Sequence, residues 1–340
     1  MHARIVYDQG WWDRFAADSP GGTLFHRWKF LEIMEKYSSF KMLPYAVFRG
    51  EEPVCIFPLF YRSYGGLKAV FSPPLQTNVP YLGPAFSEGY YGLRQRRKES
   101  YLNDAVEEVN REIARLSPSY VAVDAAPGFD DVRPFLWSGY DVDVKYTYVI
   151  DLARPLDRIW EGFDASCKKR IRRCEHTAPE IRRSEDTRAF YQIMDERLRL
   201  KGQSSVYGSQ SHEYLRDILT AFPENVKMHF LCDHGISGVQ VTCEYRDTLL
   251  LWLGSANGHY NEYLIWELIK RAKAAGLRRF EIYDGHTRRL TPFKSKFGPG
   301  LEKCYSVSRK NIFGTCARWA YIALAKARSA TVSGRLPEGE

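Results

Sequence analysis

The spacing of apolar residues predicts one run of elements twice. In the first half, Trp28, Phe30, Leu31 and Met34 fall on a helix-like stretch. Two β-like runs follow at 43–49 and 54–60, joined by a short turn at Gly50 and Glu51, which is a hairpin pattern. Leu102, Ala105, Val106, Val109 and Ile113 then recur at helical spacing, Pro118 stops that helix, and 120–124 reads as a strand ending in an acid. In the second half, Tyr214, Leu215, Ile218 and Leu219 mark a helix, and 226–232 leads through Asp233 to Gly235 into 236–243, another hairpin. A third strand at 249–254 precedes a helix carrying Leu264, Ile265, Leu268, Ile269 and Ala272, which Gly276 is placed to cap. The strand at 280–284 again ends in an acid, Asp284. Both halves read helix, hairpin, helix, strand, so an α+β domain duplicated in tandem is expected.

Between the halves, 146–152 is a strand leading into Pro155, which places the domain boundary near residue 150. The expected division is 1–150, 151–311 and a C-terminal helix and tail over 312–340. Ile312, Phe313, Cys316, Trp319, Ala320 and Ala323 space that last helix as one apolar face, expected to pack on the first domain. The longest irregular stretch is 72–99, rich in Pro and Gly and basic at 94–98.

Two segments carry candidate chemistry. After Pro155, Leu156, Ile159, Trp160, Phe163, Cys167, Ile171 and Cys174 space as one buried face of a single helix, and 168–173 (KKRIRR) packs five cations into six positions. Most of these suit a solvated face at a helix C-terminal end. Arg170 lies seven after Phe163 and four before Cys174, along the apolar stripe; a cation there snorkels or is aimed at an anion, and the anion is the reading preferred. The second segment, 284–298, follows a strand directly, where sites usually sit. It offers Asp284, His286, Arg288, Arg289, Phe293 and Lys294. Taken singly, each also reads as an ordinary turn or loop residue.

Composition narrows the class. The chain has 340 residues, 44% hydrophobic and 26% charged, enough for about two cored domains and unlike a disordered chain. No apolar run approaches a membrane span and the N-terminus lacks an apolar signal core, so a cytoplasmic protein is expected, with peripheral membrane contact left open. Its 7 cysteines are scattered without a CxxC pair, so neither a disulfide framework nor a metal site is expected. The formal charge of +8 favours anionic partners.

Several of these segments resemble the FemAB-like family of the GNAT (Gcn5-related N-acetyltransferase) superfamily. They are 147–152, Ile159 with Trp160, the basic run at 169–173, Tyr283 to Gly285, and 293–298 (FKSKFG), together with 25–28 (FHRW) and Pro58 with Leu59. The resemblance implies two tandem GNAT-like domains, the first on the acceptor side and the second on the donor side. It implies transfer of an acyl or aminoacyl group to an amine of an envelope precursor or related anionic metabolite, small or lipid-linked. The donor would be acyl-CoA or aminoacyl-tRNA, with no tightly bound cofactor. By position, Phe293 and Lys294 match the family's Phe-Lys pair near the donor end, Arg170 its basic helix, and Asp284 with Gly285 its strand end. Lys294 and Asp284 are thus the expected catalytic residues, with Arg170, Arg173, Phe293 and His286 as substrate-binding ones. Two departures matter: the (Arg/Gln)-x-x-Gly-x-(Gly/Ala) loop that cradles the CoA pyrophosphate is missing, and so is a long paired-helix insertion in the second half. No Ser-His-Asp or Cys-His pattern is evident, so direct attack on the donor is expected. A catalytically silent GNAT-like module that binds RNA or another polyanion is the alternative reading.

Overall fold

The computed structural model describes residues 1–200 and 211–312, which divide into two compact units. Among the described residues, one contains Met1–Asp143, Asp195–Leu200, Ser211 and Ser306–Ile312; the other contains Val144–Met194 and His212–Tyr305.

The first unit runs β1 (His2–Ile5), α1 (Gln9–Asp18), α2 (Trp28–Ser38), β2 (Lys41–Arg49), β3 (Glu52–Tyr64), β4 (Leu67–Ser72), β5 (Ala85–Phe86), α3 (Glu88–Tyr91), α4 (Gln95–Leu116), β6 (Tyr120–Asp124) and α5 (Arg133–Trp137). Strands β1 to β4 pair antiparallel in chain order. β4 and β6 are parallel, Ala69 opposite Tyr120, so they need a crossover, which α4 provides. Its stripe of Leu102, Ala105, Val106, Val109 and Ile113 is buried against Val47, Phe57, Val70 and Val121. Segment 72–99, expected to be irregular, instead holds β5, α3 and the start of α4. Cys55 and Ile56 of β3 bind Phe86 and Ala85 as a short ladder, a long-range pairing that local composition does not reveal.

The elements centred on the second unit are β7 (Asp141–Asp151), α6 (Leu156–Glu161), α7 (Ala165–Glu175), β8 (Glu180–Arg183), α8 (Thr187–Leu200), α9 (His212–Ala221), β9 (Val226–Cys232), β10 (Ile236–Tyr245), β11 (Thr248–Ala256), α10 (Tyr260–Ala274), β12 (Arg279–Ile282), α11 (Thr291–Lys294) and β13 (Gly300–Lys310), with the first residues of β7 and the last residues of α8 counted in the first unit. The second half of β13, Ser306 to Lys310, pairs with β6 in the first unit's share of the chain. The sheet order in the second unit is β7-β12-β11-β10-β9-β8. β11 and β12 are parallel, Thr248 opposite Arg279 to Leu251 opposite Ile282, with α10 as crossover. The echo in the sequence is therefore real: α2-β2-β3-β4-α4-β6 and α9-β9-β10-β11-α10-β12 repeat one mixed α/β pattern with a parallel pair at its end. Element boundaries at Tyr120–Asp124 and Val226–Cys232 coincide with the spacing that predicts them.

The single helix expected after Pro155 is two, α6 and α7. The break at Gly162 to Asp164 has a cause elsewhere in the chain. Asp164 N–H donates to Lys296 O at 2.8 Å, and a Cβ on Gly298, which sits at φ +58°, would lie 2.3 Å from Gly162 O. The turn at 295–298 is wedged into the corner, and only glycine fits and adopts that backbone. The C-terminal helix expected from Phe313 onward lies outside the described residues.

Candidate functional site

The parallel pair opens at one end. β12 stops at Ile282, while β11 continues from Trp252 to Ala256 past its last β12 partner. The chain leaves β12 through Tyr283 and Asp284, and Asp284 takes the left-handed backbone region, φ 67°, which Asp visits more readily than most residues with a side chain but which still needs holding in place. Two ties hold it. Gly285 N–H donates to Tyr146 O at 2.7 Å, and Asp284 Oδ1 accepts from Thr287 N–H at 3.1 Å.

Lys294 closes this turn from the far side. Its Nζ donates to the carbonyl oxygens of Tyr283 and, at 2.9 Å, of Asp284. Half-buried there, the ammonium loses solvation; burial draws its pKa down to about 8, against the smaller opposing pull of the Asp284 charge. His286 Nδ1 lies 3.3 Å from Asp284 Oδ1. A carboxylate on one ring nitrogen orients the imidazole and leaves Nε2 for another partner. An acid, an imidazole and a soft-pKa lysine thus gather where β12 ends and β11 runs on.

Phe293 packs edge-on to Phe297 at 5.8 Å, and Lys296 Nζ sits 5.8 Å over the Phe293 ring. Phe297 meets Phe163, which meets Trp266, which meets Trp160, all at ring separations between 5.2 and 5.3 Å. This aromatic floor joins the 291–297 turn to α6 and α10.

Beside it lies a residue that the sequence reading passed over. Glu262, in the first turn of α10, is 1% exposed, and its Oε1 lies 3.6 Å from Arg170 Nε and 3.5 Å from Lys296 Nζ. Its Oε2 is buried without a hydrogen-bond partner. Arg170 therefore does face an anion, but the anion is this side chain, with half the guanidinium still exposed. Glu262 was detectable: with Ile265, Trp266 and Ile269 it follows the 3–4–7 spacing of the buried stripe, where a carboxylate is out of place. A second buried acid, Glu281 at the centre of β12, accepts from Thr147 Oγ1 at 2.7 Å.

The structure thus brings Asp284, His286, Lys294 and Phe293 to one turn, and joins Arg170 to it through Glu262 and Lys296. Arg173 is exposed on the last turn of α7, close enough for its charge to act on the Tyr260 hydroxyl, which donates to Asp233. A separate pocket of about 310 Å³, lined by Asp151, Arg154, Arg279 and Glu302, opens at the other end of β12 and contains none of the expected residues. Among the described residues, no three His, Cys, Asp or Glu side chains cluster as for a metal, and no helix is long and apolar enough to cross a membrane.

Residues 163–295 match the acetyltransferase (GNAT) domain family. Solved structures of similar fold include FemX, with 11% identity over 90% of this chain and 97% of that one at a TM-score of 0.65. The fold is GNAT-type and FemAB-like. L-PGS from Bacillus licheniformis is similar over 89% of this chain and 92% of that one, with 15% identity and a TM-score of 0.53. A tandem GNAT protein from the clavulanic acid biosynthesis pathway is similar over 91% and 97%, with 11% identity and a TM-score of 0.53. No curated protein matches the chain in sequence. The GNAT match takes in the whole run from Phe163 through α7, Glu262 and the Asp284 turn to Lys294, so the gathered side chains lie within the matched domain.

Proposed function

We propose that the protein is an acyltransferase that moves an acyl or aminoacyl group from an activated donor, acyl-CoA or aminoacyl-tRNA, to an amine of an envelope precursor or related anionic metabolite. The observation that carries this reading is Lys294. A GNAT-type unit ends its parallel pair in a half-buried lysine drawn to a pKa of about 8 beside an Asp-His pair. Likeness to FemX and to a tandem GNAT protein supports transfer as the reaction class.

The chemistry follows from those groups. A neutral amine attacks the donor's carbonyl carbon, forming the C–N bond, and the carbonyl electrons move to oxygen. His286 Nε2, with Asp284 on its other nitrogen, is suited to take the amine's proton. The oxyanion is stabilised by the Lys294 ammonium, two of whose three N–H groups are spent on carbonyls, and by N–H groups along the β11 edge past Leu251. Collapse of the intermediate expels a thiolate or a ribose oxygen, which picks up a proton. Arg170, half-exposed beside Glu262, and the exposed Arg173 are the groups for a phosphate of the acceptor. On this reading the transfer groups at the Asp284–Lys294 turn and the cations Arg170 and Arg173 all lie in the second unit.

Thermal-shift screening of acyl-CoAs, aminoacyl-tRNA and nucleotide-linked amine precursors, singly and in pairs, tests the reading. Stabilisation by one donor and one acceptor class is expected. Equal stabilisation by any polyanion would instead mark a silent binding module.

A further inference from the structure

The β3–β4 hairpin extends beyond its own sheet. β2 gives out at Lys41, opposite Tyr61, and β6 begins at Tyr120, opposite Ala69, with one further bond from Ser119 N–H to Lys68 O at 2.7 Å. Residues 62–68 therefore project past the β2 and β6 ladders as a two-stranded ribbon, Arg62 still opposite Ala69 and Ser63 opposite Lys68, an arrangement marginal in water by itself. Gly65 and Gly66, at φ +56° and +81°, form the tight turn that such a ribbon needs. The residues that close it are apolar. Tyr64 and Leu67 face each other across the ribbon and are 76% and 39% exposed.

Directly behind them stand Arg62, whose guanidinium lies 5.6 Å over Phe40 and 5.7 Å over Tyr64, and Lys68. From residue 53 to residue 87 the chain holds no Asp or Glu, and these two are its only Lys or Arg. An exposed aromatic–aliphatic pair on a protruding tip, backed by cations in a stretch of chain without acids, matches the layering of an anionic bilayer: apolar beneath, negative headgroups above. A second copy of the ribbon would bring like charges together, and a nucleic acid has no use for Leu67.

We propose that this ribbon docks the protein on an anionic lipid surface, with Tyr64 and Leu67 entering the headgroup boundary and Arg62 and Lys68 meeting lipid phosphates. The proposal goes beyond the transfer reading and is tested without turnover. Full-length protein is co-sedimented with phosphatidylcholine vesicles, with or without about one-third phosphatidylglycerol. Binding to the anionic vesicles alone is expected. Tyr64→Ser with Leu67→Ser should cut partitioning at least about tenfold with an unchanged melting temperature, and Arg62→Gln or Lys68→Gln about fivefold each. If the double variant melts early, Leu67→Ser alone carries the test, with roughly a threefold loss. Failure of the wild type to bind, or unchanged binding by the apolar variants, would overturn the proposal. So would lipid-free self-association that those variants abolish.

Discussion

At neutral pH the Lys294 ammonium keeps its proton in a half-buried position, held by two carbonyls at the end of β12. An unfolded chain titrates a lysine near 10.5, whereas here the pKa is about 8. Between those values the unfolded chain binds a proton that the folded one has released, so stability should rise with pH from about 8 to 10.5. Turnover should move the opposite way, falling as the cation is lost through pH 8. Lys294→Arg, which keeps its charge far above that range, should remove the falling limb. A pH–rate profile beside urea melts separates the two trends, and a limb unchanged in the arginine variant would assign it to another group. Glu262 offers a second test at this scale. Removing its carboxylate leaves Arg170 and Lys296 without their shared anion, and Glu262→Ala should cost about 1–3 kcal/mol in urea denaturation, a range held down because both cations are partly exposed. A cost near zero would show that the ion pairs do not bind α7 and the 295–297 turn to α10.

Among the elements, the α6–α7 corner depends on the turn at 295–298. Gly298→Ala puts a methyl 2.3 Å from Gly162 O at a left-handed φ, so something must move, and Lys294 is only four residues away. A loss of about 2 kcal/mol or more, with a fall in turnover that rescue of the fold by low temperature does not restore, is the expected outcome. A variant that melts and turns over like the parent would show the turn free of the corner. This is also where the sequence stopped being legible. Helical and strand periods are local, and they exposed the duplicated order, the parallel pair's crossover helix and the acid at the end of β12. The helix break is set by a residue more than 130 positions further on, and β5 by a partner in β3, so local spacing contained neither. The Asp284–Lys294 turn was readable because its residues are close in the chain. Glu262 and its two cations come from three separate segments, and only its misplaced position on an apolar stripe marked it in advance.

For the whole molecule, the excess of basic residues, a formal +8, would draw in the anionic acceptor proposed above through a screened field. Raising salt from about 50 to 300 mM should lower kcat/KM for an anionic acceptor roughly fivefold while leaving kcat nearly constant, since screening weakens encounter more than chemistry. A salt-independent kcat/KM would place recognition in uncharged contacts. Whether acyl transfer occurs at the Lys294 turn of the GNAT-type unit is read from single-turnover transfer from a labelled donor to an amine acceptor, followed by product mass. The wild type should form product, and Lys294→Met should form it about 10²–10³-fold more slowly under conditions where that variant remains folded. A folded Lys294→Met protein that forms product at the wild-type rate would contradict transfer at that turn.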